Sequence, residues 1–493
     1  MQEKSLLRTI VKSTGLYSIA VLTGRLSGFF LLPIYTRYLA PADYGVFELL
    51  ELTVSVFAML VGMRFGDALM YFFSQAADDA DRHRVVSSLY FGTVLIAVAG
   101  GLVGFLLAPE LSLLVFGNSR YVLYFRLMFV SFALNLPQEV GYCYIRAIDR
   151  AQAYMGASLI QLLLTTVFNL TVLIVLGLGL QGILWSKVAI SLIMAAGMMI
   201  YTFRRIPISF DFRLLVRAFR YGAPLGVSGL GFLILHYGDR FFLQRYVSLA
   251  EIGIYALAYK LGMIVSFLLM PFEIYWSAQR FNLVKGPKGD KLFVRVCTYE
   301  LLALTPVVMG LALFSEPLLR IMAGPAFLPA APYVPWIAAA YLVRTIGSYF
   351  RNVFLLEGKT EWDAIVVWAG ASLCLAAYAT LVPAFTLWGA VAATGLAFSA
   401  MFLLSFWKAQ RVRWFPYEYR RMAIILIAAA VPVLLFRAMQ PSHFWLRQLW
   451  AGGLACLFPG LLWCLGFLDE EEKAAIRLLW PGMTAVAHTA AQL

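Results

Sequence analysis

Seven basic residues fall where a bilayer would make them costly: Arg25, Arg64, Arg126, Lys187, Lys260, Arg295 and Arg344 each lie inside a long apolar run. A charge at mid-bilayer costs roughly 2.5–3.5 kcal/mol even on the lenient insertion scale, so such groups normally face a wet cavity or a partner. Arg64, Lys187 and Arg295 sit close to an expected helix end, where a long side chain reaches the interface. Arg25 is mid-span in Gly24-Arg25-Leu26-Ser27-Gly28, whose two glycines make a face for close helix packing. Lys260 and Arg344 are comparably deep in the second half, and with Arg126 they complete the set of cavity candidates. Arginine at the deepest position suits a two-pronged grip on phosphate oxygens.

Acidic residues able to neutralise this set are Glu48, Glu51, Asp67, Glu139, Asp239, Glu273 and Glu300. Glu48 and Glu51 are three apart on one face of the second span. Glu48, Glu51, Asp43, Asp239 and Glu273 are the candidates for balancing buried charge or for coupling to a proton or sodium gradient. For each charge singly, an ion pair inside the bundle and a substrate contact remain equally open. As a group they imply a hydrated, charged cavity.

Other chemistry finds no motif. There is no Gly-x-x-x-x-Gly-Lys-Ser/Thr phosphate loop, no His-Glu-x-x-His and no Gly-x-Ser-x-Gly. The histidines, His83, His236, His443 and His488, are scattered, so no metal or cofactor is expected. Cys143, Cys297, Cys374, Cys456 and Cys464 lack Cys-x-x-Cys spacing and read as small buried hydrophobes. Asp78-Asp79-Ala80-Asp81 contains Asp-x-Asp, a spacing that can hold a metal-bound sugar nucleotide, but its loop is too short for a catalytic domain. No enzymatic activity is expected.

The elements that must position these residues are membrane helices. The chain is 62% hydrophobic and 13% charged, with mean hydropathy +0.81, against about 45–50% and 25% in soluble domains. With about 20 residues needed per crossing, spans are expected near 14–37, 45–66, 87–108, 121–142, 154–177, 182–203, 219–241, 252–275, 293–314, 333–355, 363–383, 386–407, 422–438 and 447–467. The fold class is therefore all-α, a polytopic membrane protein of about fourteen helices. The basic start at Lys4, Arg8 and Lys12 leads into a stretch too long for a cleavable signal. With a cytoplasmic N-terminus, 25 basic residues fall on cytoplasmic segments and seven on the other face, the seven being Arg37, Arg120, Arg240, Arg245, Arg320, Arg437 and Arg447. Both termini are thus expected inside. The net charge of +13 is mostly a topology signal, which sets nucleic acid aside.

An internal match organises the spans. Arg37-Tyr38-Leu39-Ala40-Pro41-Ala42-Asp43-Tyr44-Gly45-Val46-Phe47 aligns without a gap on Arg245-Tyr246-Val247-Ser248-Leu249-Ala250-Glu251-Ile252-Gly253-Ile254-Tyr255, 208 residues later. Each repeat holds six spans, so the two share orientation, an arrangement used by transporters with a site between the halves. The expected domains are a six-helix lobe over 1–206, a second over 207–412, and an appended pair of helices with a tail over 413–493.

The order of these motifs resembles the polysaccharide transporter (oligosaccharide flippase) family of the multidrug/oligosaccharidyl-lipid/polysaccharide superfamily. The likeness rests on Gly24-Arg25-Leu26-Ser27-Gly28-Phe29, Pro33, the Arg37–Gly45 motif, Asp239-Arg240, Gly253–Lys260 and Gly324–Pro332, and covers roughly 5–410. It implies a V-shaped pair of lobes in the bacterial inner membrane. It also implies movement of an undecaprenyl-pyrophosphate-linked oligosaccharide from the cytoplasmic to the periplasmic leaflet by alternating access. Surrounding lipid and the polysaccharide biosynthesis machinery would be its partners. Related lipid II flippases carry an arginine at the position of Arg25 and an acid at that of Asp43, both taken to serve translocation. Their other cavity arginines have no convincing match here. The alternatives are a multidrug cation antiporter of the same superfamily, which should favour buried acids over deep basic residues, and a membrane polymerase or ligase. Such enzymes usually carry a large extracytoplasmic loop, whereas the longest here covers only 315–332.

Overall fold

The computed structural model describes residues 31–62, 65–284, 289–439, 441–469 and 472. Arg25 and Arg64 lie outside the described residues, as does most of the span expected over 14–37. Among the described residues the secondary structure is helical throughout, with no strand. Each expected span within them coincides with helix. Eight helical stretches among the described residues are long and apolar enough to cross a membrane, and one of these, Glu361–Val412, runs through two expected spans. Its break falls at Thr386, in the left-handed region at φ 51°, three residues after the turn expected at Pro383. Val122–Ala147 and Val334–Leu356, of 26 and 23 residues, are long enough to cross but less apolar, because each carries a polar stripe.

The span expected over 252–275 departs most from expectation. It consists of Leu249–Gly262, Ile264–Leu268 and Met270–Val284, so helix continues well past residue 275. Ser248 opens it with a capping box: its hydroxyl and backbone N–H both donate to the Glu251 carboxylate at 2.8 and 2.9 Å, and the Glu251 N–H donates back at 3.3 Å. Pro41–Gly62, its counterpart in the first repeat, begins with proline and carries Asp43 in its first turn, where a negative charge favours the helix N-terminus.

Two compact units form. The first takes the described residues of Met1–Ala258 with Leu319–Ala330 and Ala364–Ala397; the second takes Tyr259–Leu318, Ala331–Asp363 and the described residues from Phe398 onward. In the first, Asp79–Leu106 turns Leu95, Val98, Leu102 and Leu106 outward and buries Gly100, Gly101 and Gly104 against neighbours. That inversion of soluble amphipathicity is what lipid requires. Asp78 caps this helix by accepting from the Asp81 N–H at 2.7 Å, while Asp79 and Asp81 pair with Arg82 and Arg84. The Asp-x-Asp segment is thereby spent on a helix start. Cys143, Cys297 and Cys374 are buried as expected, but Cys456 and Cys464 are exposed on Phe444–Cys464, a correction to the reading of all five as buried.

In the second unit Phe293 packs against Tyr349 and Phe415, with ring centroids 4.8 and 4.6 Å apart. The two C-terminal helices, Tyr419–Ala438 and Phe444–Cys464, are held at both ends by ion pairs. Arg447 meets Glu316 at 2.9 Å, Arg421 meets Glu472 at 2.7 Å, and Arg295 meets Asp469 at 2.6 Å.

Candidate functional site

The two copies of the repeat motif meet in space. A Cβ on Gly45 would overlap the Leu249 carbonyl oxygen, and a Cβ on Gly253 would overlap that of Pro41. Gly253 is Gly45 plus 208 and Leu249 is Pro41 plus 208, so the contact is reciprocal. Only glycine permits helices to cross with backbone against backbone.

One turn beyond that crossing lies a buried charge cluster. Arg240 is 1% exposed and Asp239 is fully buried. Arg240 Nη1 donates to Asp239 Oδ1 at 2.9 Å, the Tyr255 hydroxyl donates to Asp239 Oδ2 at 2.6 Å, and Arg240 Nε stands 4.0 Å from Glu48 Oε2. The Arg240 guanidinium also lies over the rings of Tyr237 and Tyr255, at 5.2 and 5.8 Å. Arg240, counted from sequence on the extracytoplasmic face at the end of the span expected over 219–241, is a buried residue of the short helix Asp239–Leu243. With both oxygens of Asp239 accepting hydrogen bonds, its geometry is that of a structural partner to Arg240.

Glu48 and Glu51, grouped in the sequence, go to different partners. Glu51 accepts from Lys187, which is thereby an ion-pair partner. The pair lines a cavity of about 220 Å³ with Ser131, Asn135 and Glu139. Glu51, Val54, Ser55 and Ala58 repeat at helical spacing on Pro41–Gly62; Met128, Ser131, Phe132, Asn135 and Glu139 do so on Val122–Ala147. Arg126 is not among the residues lining this cavity; its guanidinium lies 4.9 Å over the Phe105 ring. Asp43 is exposed in its first helical turn.

The second unit holds a cavity of about 240 Å³. Glu273, Trp276, Ser277 and Arg280 face it from Met270–Val284, and Ser348, Arg351, Asn352 and Leu355 from Val334–Leu356, both sets at i, i+3, i+4, i+7 spacing. Glu300, 6% exposed, comes from Gly289–Met322. Arg280 donates to Asn352 Oδ1, and Arg351 Nε lies 3.4 Å from Asp363 Oδ1. Arg344, one turn before Ser348, lies over the rings of Tyr341 and Phe398 at 5.9 and 5.8 Å, and its charge acts on Glu273. Lys260 is half-buried at the end of Leu249–Gly262 and does not line this cavity.

Of the cavity candidates, then, the structure brings Glu273 and Arg344 near one polar site and Glu51 to another, and sets Arg126 and Asp43 elsewhere. Arg280 and Arg351, counted among the cytoplasmic basic residues, sit on helices and line the cavity. The signal that would have found them is polar residues at 273, 277 and 280, and at 344, 348, 351 and 352, which share one helical face.

The family model described as "polysaccharide biosynthesis protein" matches residues 10–273. The chain belongs to that family. A relative within reach of pairwise comparison is an uncharacterised membrane protein of Methanocaldococcus jannaschii, 21% identical over 250 residues. That match covers 48% of this chain and 48% of the relative, so the chain spans about half the length of the curated protein it matches. Solved structures share the fold. A lipid II flippase, MurJ, in an inward closed conformation superposes with TM-score 0.71 over 91% of this chain and 98% of its own, at 14% identity. An inward-facing multidrug resistance MATE transporter of the MOP superfamily follows at TM-score 0.63 and 14% identity, over 80% of this chain and 95% of its own. This member of the polysaccharide biosynthesis family therefore has the all-α membrane fold of known flippases and transporters.

Proposed function

We propose that the protein is a flippase carrying a polyprenyl-pyrophosphate-linked oligosaccharide, a repeat unit of a surface polysaccharide or lipopolysaccharide, from the cytoplasmic to the periplasmic leaflet of a bacterial inner membrane. Alternating access would involve six-helix lobes over 1–206 and 207–412, with 413–493 appended and both termini cytoplasmic. The reciprocal Gly45–Gly253 crossing supports the pairing of the repeats. The observation that carries the substrate class is the set of arginines on helical faces of the second unit, Arg280, Arg344 and Arg351. Guanidinium groups held among membrane helices oppose an organic cation, and with the carboxylates beside them they favour a ligand rich in hydrogen-bonding groups, such as an oligosaccharide. Arg25, Lys260, Arg344 and Arg126 are the pyrophosphate candidates.

One observation favours a coupling cation in the first unit. Its cavity gathers two carboxylates, Glu51 and Glu139, with Lys187, Ser131 and Asn135. Carboxylates grouped in a polar cavity suit proton or sodium exchange, and Asp239, already fully bonded, is the weaker coupling candidate.

The test is complementation of a flippase-deletion strain. Arg344→Ala and Arg25→Ala are expected to abolish surface polysaccharide while the protein reaches the membrane at normal level. Normal polysaccharide with both variants would refute the reading, and efflux of ethidium with unchanged polysaccharide would favour the cation antiporter.

A further inference from the structure

The cavity of the second unit holds hydrogen-bonding groups of both kinds that the protein leaves unspent. Trp276 is 4% exposed, and its indole Nε1–H has no acceptor among the described residues. Arg280 Nε is likewise buried without one. Glu300, 6% exposed, receives no hydrogen bond among the described residues and lines the same cavity. A buried polar group left unpaired is costly, so these donors and this acceptor call for a ligand or water.

Charge narrows the ligand class. Glu273 and Arg280 come from one helix, Glu300 from a second, Arg351 from a third and Asp363 from the helix start beside it. Arg344 adds its field from the turn above. Three guanidiniums thus balance three carboxylates. A phosphate accepts only, and would satisfy Trp276 and Arg280 while confronting Glu273 and Glu300. An organic ammonium at best donates, and would confront the arginines. A neutral polyol both donates and accepts through each hydroxyl, and so fits a mixed, balanced lining. The volume, about 240 Å³, equals roughly eight waters at ~30 Å³ each, which is room for one sugar ring. The Trp276 ring itself is fixed between Phe272 and Tyr349, with centroids 6.0 Å apart on both sides, so its N–H is held in place.

We infer that this cavity is a saccharide subsite that receives one neutral pyranose ring through Trp276, Arg280, Glu300 and Asn352. Its place in transport rests on the flippase reading, in which the ring would belong to the lipid-linked oligosaccharide; its binding chemistry does not.

The experiment uses the full chain in lipid nanodiscs, with glycoside detergents excluded because their headgroups would compete. Saturation-transfer NMR is run with glucose, galactose, N-acetylglucosamine, inorganic pyrophosphate and tetraethylammonium. At least one neutral pyranose is expected to show transfer. Glu300→Ala is expected to abolish it, and Trp276→Phe, which keeps the ring and removes the donor, to weaken it roughly tenfold. Circular dichroism and elution profile check that both variants fold, and Glu300→Gln serves if Glu300→Ala does not. No transfer to any pyranose, transfer indifferent to both substitutions, or Glu300-dependent binding of pyrophosphate or tetraethylammonium in place of sugar would each overturn the subsite. Pyranose binding lost in the variants, in a protein that fails to move a lipid-linked oligosaccharide, leaves the subsite standing and removes the flippase reading. Translocation that persists in both variants although they have lost pyranose binding keeps the flippase reading and removes the subsite's place in transport.

Discussion

Replacing Gly253 with alanine tests the packing of the repeat motif at a single atom. The added Cβ would fall on the Pro41 carbonyl oxygen, inside the 3.0 Å that real Cβ contacts essentially never breach. The obstacle is backbone, so no side chain can rotate away, and the two helices must part by about an ångström. Forcing atoms into a packed interior costs typically about 1–3 kcal/mol, and a backbone clash belongs at the upper end. At roughly 1.4 kcal/mol per decade, the crossing weakens on the order of a hundredfold. Gly45→Ala should cost a similar amount, because its Cβ meets the equivalent Leu249 carbonyl. The two should not add: once either Cβ has separated the helices, the second enters space already opened, and contacting residues show such coupling. The assay is the thermal unfolding midpoint of the two single variants and the double variant in one lipid environment, with surface polysaccharide as the functional readout. Single variants with wild-type midpoints, or a double variant whose loss equals the sum of the singles, would refute a shared backbone crossing.

Three further outcomes follow from the ion pairs. Arg240→Ala leaves Asp239 and Glu48 buried without their cation and is expected to cost about 3–5 kcal/mol; adding Glu48→Gln should recover part of it in the same unfolding assay, and no recovery would dissociate Glu48 from Arg240. Lys187→Met strands Glu51 and should lower transport, whereas exchanging the charges as Lys187→Glu with Glu51→Lys should restore some of it; equal loss in both would deny the pairing. Arg447→Ala removes a partly exposed link between Phe444–Cys464 and Glu316 and should cost only about 1 kcal/mol, visible as earlier protease cleavage after Ala438 with little change in overall midpoint; unchanged cleavage would show that apolar packing alone holds the C-terminal helices.

The helices were legible because lipid imposes a length and a composition on every crossing. Where the sequence reading slipped, polarity had overridden hydropathy. Met270–Val284 ends in Ser277, Arg280 and Asn282, so apolar content falls near residue 275 although the helix does not. The same blindness counted Arg280 among the cytoplasmic charges and Arg240, at the end of the span expected over 219–241, among the extracytoplasmic ones. In both, the backbone stays helical and the charge is met by a partner, Asn352 in one case and Asp239 in the other.

The functional residues were half legible for a related reason. Glu48 and Glu51 stand on nearly the same face, and sequence spacing alone could not say that one turns to Arg240 and the other to Lys187. That choice depends on helices almost 200 and 140 residues away in the chain, and long-range pairing is what a single sequence conceals. The repeat is the exception. Gly45 and Gly253 were matched by position, and the structure makes that match a physical contact, with each motif presenting its glycine to the other's carbonyl. An alignment between two segments of one chain carried three-dimensional information because the segments pack on each other. The same argument explains the silence of the deep charges: Arg344 and Glu273 have no counterpart in the first repeat at the 208-residue shift, where Leu136 and Phe65 stand. Across the 208-residue shift the motif glycines therefore repeat, and the charges at 273 and 344 do not.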